Sequence, residues 1–386
     1  MGDIHILKGF VFFVVGVALS GSANAEEVRE TSEAAARARA SISSLRSSLS
    51  EFGTQSGCPG QDTEENVLLP HLDSNRQCKM DPKLAKDTIE SLLRRTAPSR
   101  PSAFYLVDPQ GRVVQNLHEV DADRQQPVAS TQKILTAYIA YKSGLWGESV
   151  ACTSADVKDP WSMPCSHISG DSEKFHGEPM RMGESVPFPV MIHSLLYDSS
   201  NTAANAIARL YGAQAQGNQK KNIRVDGIAM ESTMVGMMNS LTAHILKSDQ
   251  PGRARSLFSD PSGIGLNQYS TPNNMARILA YVTSDQDFMK ALKGITETRD
   301  GKVIPQTLTA LWGGEDQFFK GGLLNVGQMQ ISSIPVSRCG PGYRVVSAVF
   351  GPYIPGGYEA QLTKYMNMNS QLREVLDGPG MIASIR

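Results

Sequence analysis

The chain has 386 residues, of which 40% are hydrophobic, and 37 Lys and Arg stand against 38 Asp and Glu. That length allows one large domain or two ordinary ones. The balanced charge supplies neither a basic field nor an acidic tail, so no nucleic-acid partner is expected.

Taken in order, residues 1–25 read as a signal peptide. Lys8 precedes an apolar run from Gly9 to Leu19, too short to span a bilayer comfortably, and Ala23-Asn24-Ala25 has the A-x-A pattern of a cleavage site. Cleavage before Glu26 would leave no stable membrane span and a periplasmic or secreted protein. In that oxidising setting the five cysteines are disulfide candidates. The sequence-local pairs 58–78 and 152–165 are expected, leaving Cys339 over, although spacing alone does not fix connectivity. No Cys or His spacing suits a metal, and no metal or other cofactor is expected.

Residues 26–80 form an N-terminal extension. Its first part, 26–52, is a polar helical stretch that reads as a spacer or a site for a protein partner; from Thr54 to Lys79 the composition is loop-like. Asp81-Pro82 opens a helix to about Arg95, with Asp as N-cap and Pro at the first helical position. A hairpin follows, with strands Ala103 to Val107 and Arg112 to Leu117 around the turn Asp108-Pro109-Gln110-Gly111. Residues 146–185 are a Gly-, Pro- and Ser-rich excursion. Val190 to Leu196 and Thr202 to Tyr211 are helices on either side of a turn, 245–272 is a long loop, and a helix runs from Pro272 to about Val282. Phe318 to Leu323, Gln328 to Val336 and Tyr343 to Phe350 are strands, and a helix from Tyr358 to Leu376 ends the pattern. Strands early and late with helices between predict an α+β fold, and hairpin-length links predict an antiparallel sheet.

The chemistry centres on Ser130-Thr131-Gln132-Lys133. Residues three apart on a helix are neighbours, so the Lys133 amine can approach the Ser130 hydroxyl. A serine hydroxyl needs an adjacent base to become a nucleophile. Lysine can be that base when burial lowers its pKa, and Ile134, Leu135, Tyr138 and Ile139 supply a burying face. Two further elements can meet this pair. Ser199-Ser200-Asn201 lies in the turn between two helices, where Ser199 could pass a proton to a leaving amine and Asn201 could hold Lys133. Lys320-Gly321-Gly322 lies in a late strand, where Lys320 offers a fixed positive charge to a substrate carboxylate and keeps Lys133 neutral by repulsion. The backbone N–H groups of Ser130 and of Leu323, just after Gly321 and Gly322, are the oxyanion candidates. Simpler roles exist: Ser199 and Asn201 as helix caps, Lys320 as an edge-strand guard. Glu231 is followed four residues on by Val235, not Asn, and reads as structural.

The set S-x-x-K, S-x-N and K-x-G resembles the signature of penicillin-binding proteins and serine β-lactamases. The stretch from about 100 to 365 is similar to the serine D-alanyl-D-alanine carboxypeptidases, the low-molecular-mass penicillin-binding proteins. The similarity includes Pro127 to Lys133, Met182 to Val186 leading to Ser199-Ser200-Asn201, Ala229 to Thr233, and Tyr269-Ser270-Thr271 with Asn274-Met275-Ala276-Arg277. The resemblance implies a transpeptidase-like catalytic domain over 81–386, with a helical subdomain across the cleft. It also implies a carboxypeptidase that binds peptidoglycan peptides and β-lactams through an acyl-enzyme on Ser130. A β-lactamase, a D,D-endopeptidase or a non-catalytic peptidoglycan-binding protein are the alternatives. Three departures stand out: Gly321 replaces the family's usual Thr, no β-rich domain is expected after the last helix, and the N-terminal extension has no counterpart. Losing one hydrogen bond to a charged group costs about 1.5–3 kcal/mol, enough to weaken carboxylate binding ten- to a hundredfold.

Overall fold

The computed structural model describes residues 71–72, 78–96, 100–158, 162, 164–165, 181–218, 224–247, 255–265, 267–295, 317–324, 327–351 and 358–377. The expected signal peptide, the polar helix at 26–52 and Cys58 lie outside them. In chain order the elements are β1 (His71–Leu72), β2 (Cys78–Lys79), α1 (Pro82–Thr96), β3 (Ser102–Val107), β4 (Val113–Val120), α2 (Lys133–Lys142), β5 (Ser149–Ala151), β6 (Ser185–Pro187), α3 (Phe188–Leu196), α4 (Asn201–Asn218), β7 (Arg224–Val225), β8 (Ile228–Ala229), α5 (Met234–Lys247), α6 (Pro272–Ser284), α7 (Gln286–Lys293), β9 (Phe318–Leu324), β10 (Gly327–Pro335), β11 (Arg344–Gly351) and α8 (Tyr358–Asp377).

The main sheet has five strands in the order β4-β3-β11-β10-β9, every neighbouring pair antiparallel. This is the α+β architecture expected from the sequence. The β3–β4 hairpin turns where Asp108-Pro109-Gln110-Gly111 predicts, and Gly111 carries the positive φ of 75° that the turn needs. The three central strands are buried on both faces, because helices cover each. Successive residues of a strand point to opposite faces. Ser332 therefore meets Asn369 of α8 at 3.1 Å while Ser333 meets Thr283 of α6 at 3.0 Å. Thus α8 lies on one face of the sheet and α6 on the other, with α1 packed beside α8. Helix α6 starts with Pro272 at its first position and Thr271 as its cap, accepting from the Asn274 N–H.

Helices α3, α4 and α5 gather around α2. Helix α2 is apolar around its circumference and every residue from Lys133 to Ala140 is buried, which is what a helix without a polar face requires. Two helices escaped sequence expectation. Helix α5 occupies 234–247, reaching into the start of the expected loop, and α7 occupies 286–293. Helix α4 runs seven residues past Tyr211, to Asn218.

Among the described residues there are two disulfides. Cys152–Cys165 is the expected local pair, with Cα atoms 5.8 Å apart. Cys78 is bonded to Cys339, with Cα atoms 5.4 Å apart, so the expected 58–78 pairing does not form and Cys339 is not left over. The reason is spatial. Buried Met80, two residues after Cys78, exchanges hydrogen bonds of 2.8 Å with Gln115 of β4, and β1 packs beside the 337–339 turn that carries Cys339. Among the described residues no helix is long and apolar enough to cross a membrane.

Candidate active site

Ser130 sits not in α2 but in the tight 3-10 turn Ala129–Gln132 that runs directly into it. Ala129 has φ 48°, a left-handed conformation that costs a non-glycine residue energy and recurs at functional sites. The fully buried Lys133 places its Nζ 2.6 Å from Ser130 Oγ, 2.7 Å from Asn201 Oδ1 and 2.6 Å from the Ser262 carbonyl oxygen. Proton counting gives this arrangement meaning. A neutral amine has two N–H donors and one lone pair. Asn201 Oδ1 and the Ser262 carbonyl can only accept, so they take the two donors. With the amine neutral, its lone pair would be available to Ser130, whose O–H could then donate to it.

Ser199, between α3 and α4, has φ 57°. The capping role considered for Ser199 and Asn201 falls instead to Ser200, whose Oγ accepts from Ala203 N–H at 3.1 Å. That leaves the side chains of Ser199 and Asn201 to turn inward. Lys320 Nζ lies 2.8 Å from Ser199 Oγ and 3.1 Å from the Gly321 carbonyl oxygen. Burial pushes the Lys320 amine down to about 7, against an opposing pull from Asp198. Desolvation thus works against the positive charge expected of this amine. The sign for ligands follows. Above about pH 7 the empty site is increasingly neutral, and binding a carboxylate must then take up a proton. Affinity for a carboxylate-bearing peptide should fall as pH rises through 7, approaching tenfold per pH unit, as read by calorimetric titration at several pH values.

The turn holding Ser130 packs against β9, the edge strand of the sheet among the described residues. An edge strand keeps alternate N–H and C=O groups free for a ligand, and Gly321, Gly322 and Leu323 lie on it. A Cβ on Gly322 would stand 2.7 Å from Ser130 N and 2.8 Å from Ala129 Cβ. Only a residue without a side chain lets the strand approach the nucleophile's backbone so closely. Gly322→Ala should slow acylation about tenfold by displacing one wall by several tenths of an ångström. The rate of labelling by an activated acyl donor, beside an unfolding midpoint, checks this.

The structure thus brings Ser130, Lys133 and Asn201 into one hydrogen-bonded set and Ser199 and Lys320 into another, with Gly322 of the Lys320 strand against the Ser130 turn. Sequence reasoning missed the loop 259–265, which supplies the Ser262 carbonyl. Its signal was Asp260-Pro261-Ser262-Gly263, a run of turn-forming residues. Glu231 stands apart, accepting from Ser240 Oγ at 3.3 Å on an exposed surface, in keeping with a structural role. Among the described residues no group of three or more His, Cys, Asp or Glu could hold a metal ion.

No family model matches the chain, and no curated protein matches it. Solved structures do. The chain is similar to a D-alanyl-D-alanine carboxypeptidase from Mycobacterium tuberculosis H37Rv, with a TM-score of 0.47 and 20% identity over 70% of this chain and 91% of that one. It is similar to penicillin-binding protein D2 from Listeria monocytogenes in its cefotaxime-bound form, with a TM-score of 0.47 and 16% identity over 70% and 96%. It is also similar to the Streptomyces K15 DD-transpeptidase, with a TM-score of 0.45 and 17% identity over 70% and 96%. Likeness of this degree leaves the chemistry to be argued from the site itself.

Proposed function

We propose that the protein is an exported serine acyl-transfer enzyme of the penicillin-binding type, a D-alanyl-D-alanine carboxypeptidase acting on peptidoglycan stem peptides. The observation that carries this reading is the Lys133 amine, held by two pure acceptors with its third position on Ser130 Oγ. In the proposed reaction Ser130 Oγ attacks the carbonyl carbon of the penultimate D-Ala while its proton passes to Lys133. Backbone N–H groups of Ser130 and Leu323 hold the oxyanion. The C–N bond breaks as Lys133 gives the proton it took from Ser130 to the leaving amine through Ser199, which is hydrogen-bonded to Lys320, and Lys133 is neutral again. Water then attacks the ester carbonyl and gives a proton to Lys133, which passes it to Ser130 Oγ as the ester C–O bond breaks and the free acid leaves. No metal or organic cofactor has a step in this sequence.

The test is incubation of the mature protein with a fluorescent penicillin, followed by mass spectrometry of the labelled peptide. A stable adduct on Ser130 is expected; a folded protein with no adduct overturns the proposal. Rapid turnover of the adduct would indicate a β-lactamase. Muropeptide binding that survives Ser130→Ala, with no turnover by the parent, would indicate a non-catalytic wall-binding protein. Gly321 favours a second reading, a D,D-endopeptidase. With no hydroxyl at that position and a Lys320 charge that is not fixed, the site has less to offer a free carboxylate than a peptide-bonded residue. Faster cleavage of cross-linked muropeptides than of free pentapeptides would select it.

A further inference from the structure

The geometry points to Asp260 as a positioning residue that sets the catalytic competence of Lys133 by folding the loop 259–265 onto the start of α2. This rests on the function proposed above. Three successive carbonyl oxygens of the loop each accept from α2 or its preceding turn. The Asp260 carbonyl accepts from Gln132 Nε2, the Pro261 carbonyl from Thr136 Oγ1 at 2.7 Å, and the Ser262 carbonyl from Lys133 Nζ at 2.6 Å. Three consecutive carbonyls in an irregular segment do not converge on one helix unless something fixes the dihedral angles between them. The Asp260 carboxylate does this. Its Oδ1 accepts from Ser262 N–H at 2.6 Å, Ser262 Oγ at 2.6 Å and Gly263 N–H at 2.8 Å, and its Oδ2 accepts from Gly265 N–H. One side chain thus gathers donors from three residues of its own loop and leaves their carbonyls facing the helix.

The same fold brings Gly263 against the strained turn. Gly263 has φ 100°, and a Cβ there would overlap the Ala129 carbonyl. The loop therefore grips the nucleophile's turn and the base together, although Asp260 is not placed to touch a reacting atom. An uncharged amide at 260 would keep the acceptor Oδ1 but turn an N–H₂ group toward the Gly265 N–H, donor against donor. Loss of the whole side chain would free the loop. Misplacement of a catalytic group by about 1 Å can cost about a hundredfold in rate.

The experiment compares the full mature chain with Asp260→Asn and Asp260→Ala, following time courses of fluorescent penicillin acylation that separate initial binding from the acylation rate constant. About a tenfold slower acylation is expected for Asp260→Asn and about a hundredfold for Asp260→Ala, with initial binding unchanged and an altered pH profile of the rate. A parallel series with a fluorophosphonate reads Ser130 nucleophilicity without penicillin recognition and should show the same ranking. Parent-like acylation in both variants, or weakened binding at an unchanged rate constant, overturns the inference. A parent that reacts with the fluorophosphonate but not with penicillin defeats the proposed function alone, and the Asp260 comparison proceeds on the phosphonate rate. A parent that reacts with neither overturns both. Should neither variant fold, Thr136→Val removes the middle of the three loop bonds; several-fold slower acylation is expected, and an unchanged rate overturns the inference.

Discussion

Lys133→Met should slow acylation of Ser130 by about 10²–10⁴-fold, the range set by removing a general base from the attacking nucleophile. Methionine follows the lysine stem, with sulfur in place of the δ-methylene and no amine, so the packing around α2 is largely kept. The change removes the amine's hydrogen bonds to two buried acceptors, Asn201 Oδ1 and the Ser262 carbonyl, each worth about 0.5–1.5 kcal/mol net. Against that, a polar amine no longer has to be buried at a position with no exposure to solvent. The two effects offset, so the unfolding midpoint should move far less than the rate. Acylation time courses beside thermal unfolding check both halves. A rate within tenfold of the parent would mean that Ser130 finds its base elsewhere, and the proton-counting argument would fall with it.

The second large effect is on stability. Cys78–Cys339 joins residues 261 apart in sequence, whereas Cys152–Cys165 joins residues 13 apart. A cross-link acts mainly by restricting the unfolded chain, and chain-entropy reasoning gives about 5 kcal/mol for the long link and about 3 kcal/mol for the short one. Cys339→Ser should therefore destabilise more than Cys152→Ser, by denaturant unfolding under oxidising conditions. Cys78→Ser with Cys339→Ser should cost little more than either alone, since one bond is lost in each case. With reductant present, parent and double variant should reach the same stability, since both then lack both bonds. Equal stability of parent and Cys339→Ser would show that the link closes no ensemble that matters.

What the sequence revealed follows from which interactions are local. The buried stripe of α2, the turn at Gly111 and the strands around Lys320 could be read because period, turn chemistry and apolar runs are properties of neighbours in the chain. The Ser130–Lys133 pair was legible for the same reason, one helical turn apart. Asn201 and Ser199 came from a resemblance, and the spacing alone would have left them as caps; only the structure gives that duty to Ser200. The Ser262 carbonyl was invisible, since any residue has one and its use depends on a loop folded by Asp260. Cys78–Cys339 was missed because proximity in sequence favoured a partner that proximity in space does not. The downward pull on the Lys320 amine was invisible as well, because desolvation is set by the burial around it, which a motif does not encode. Helix α5 was overlooked because Val235, Gly236, Asn239, Ser240 and Thr242 dilute its helix preference, and tertiary packing decides.

Gly263 and Gly322 press on the turn before Ser130 from two sides, each with backbone alone. The consequence concerns how this chain can vary over evolutionary time. A vice built from main chain holds its object whatever side chains surround it, so residues lining the rest of the cleft can drift toward other acyl donors without loosening the nucleophile. The two glycines themselves, and the loop that carries one of them, are the positions where drift is closed.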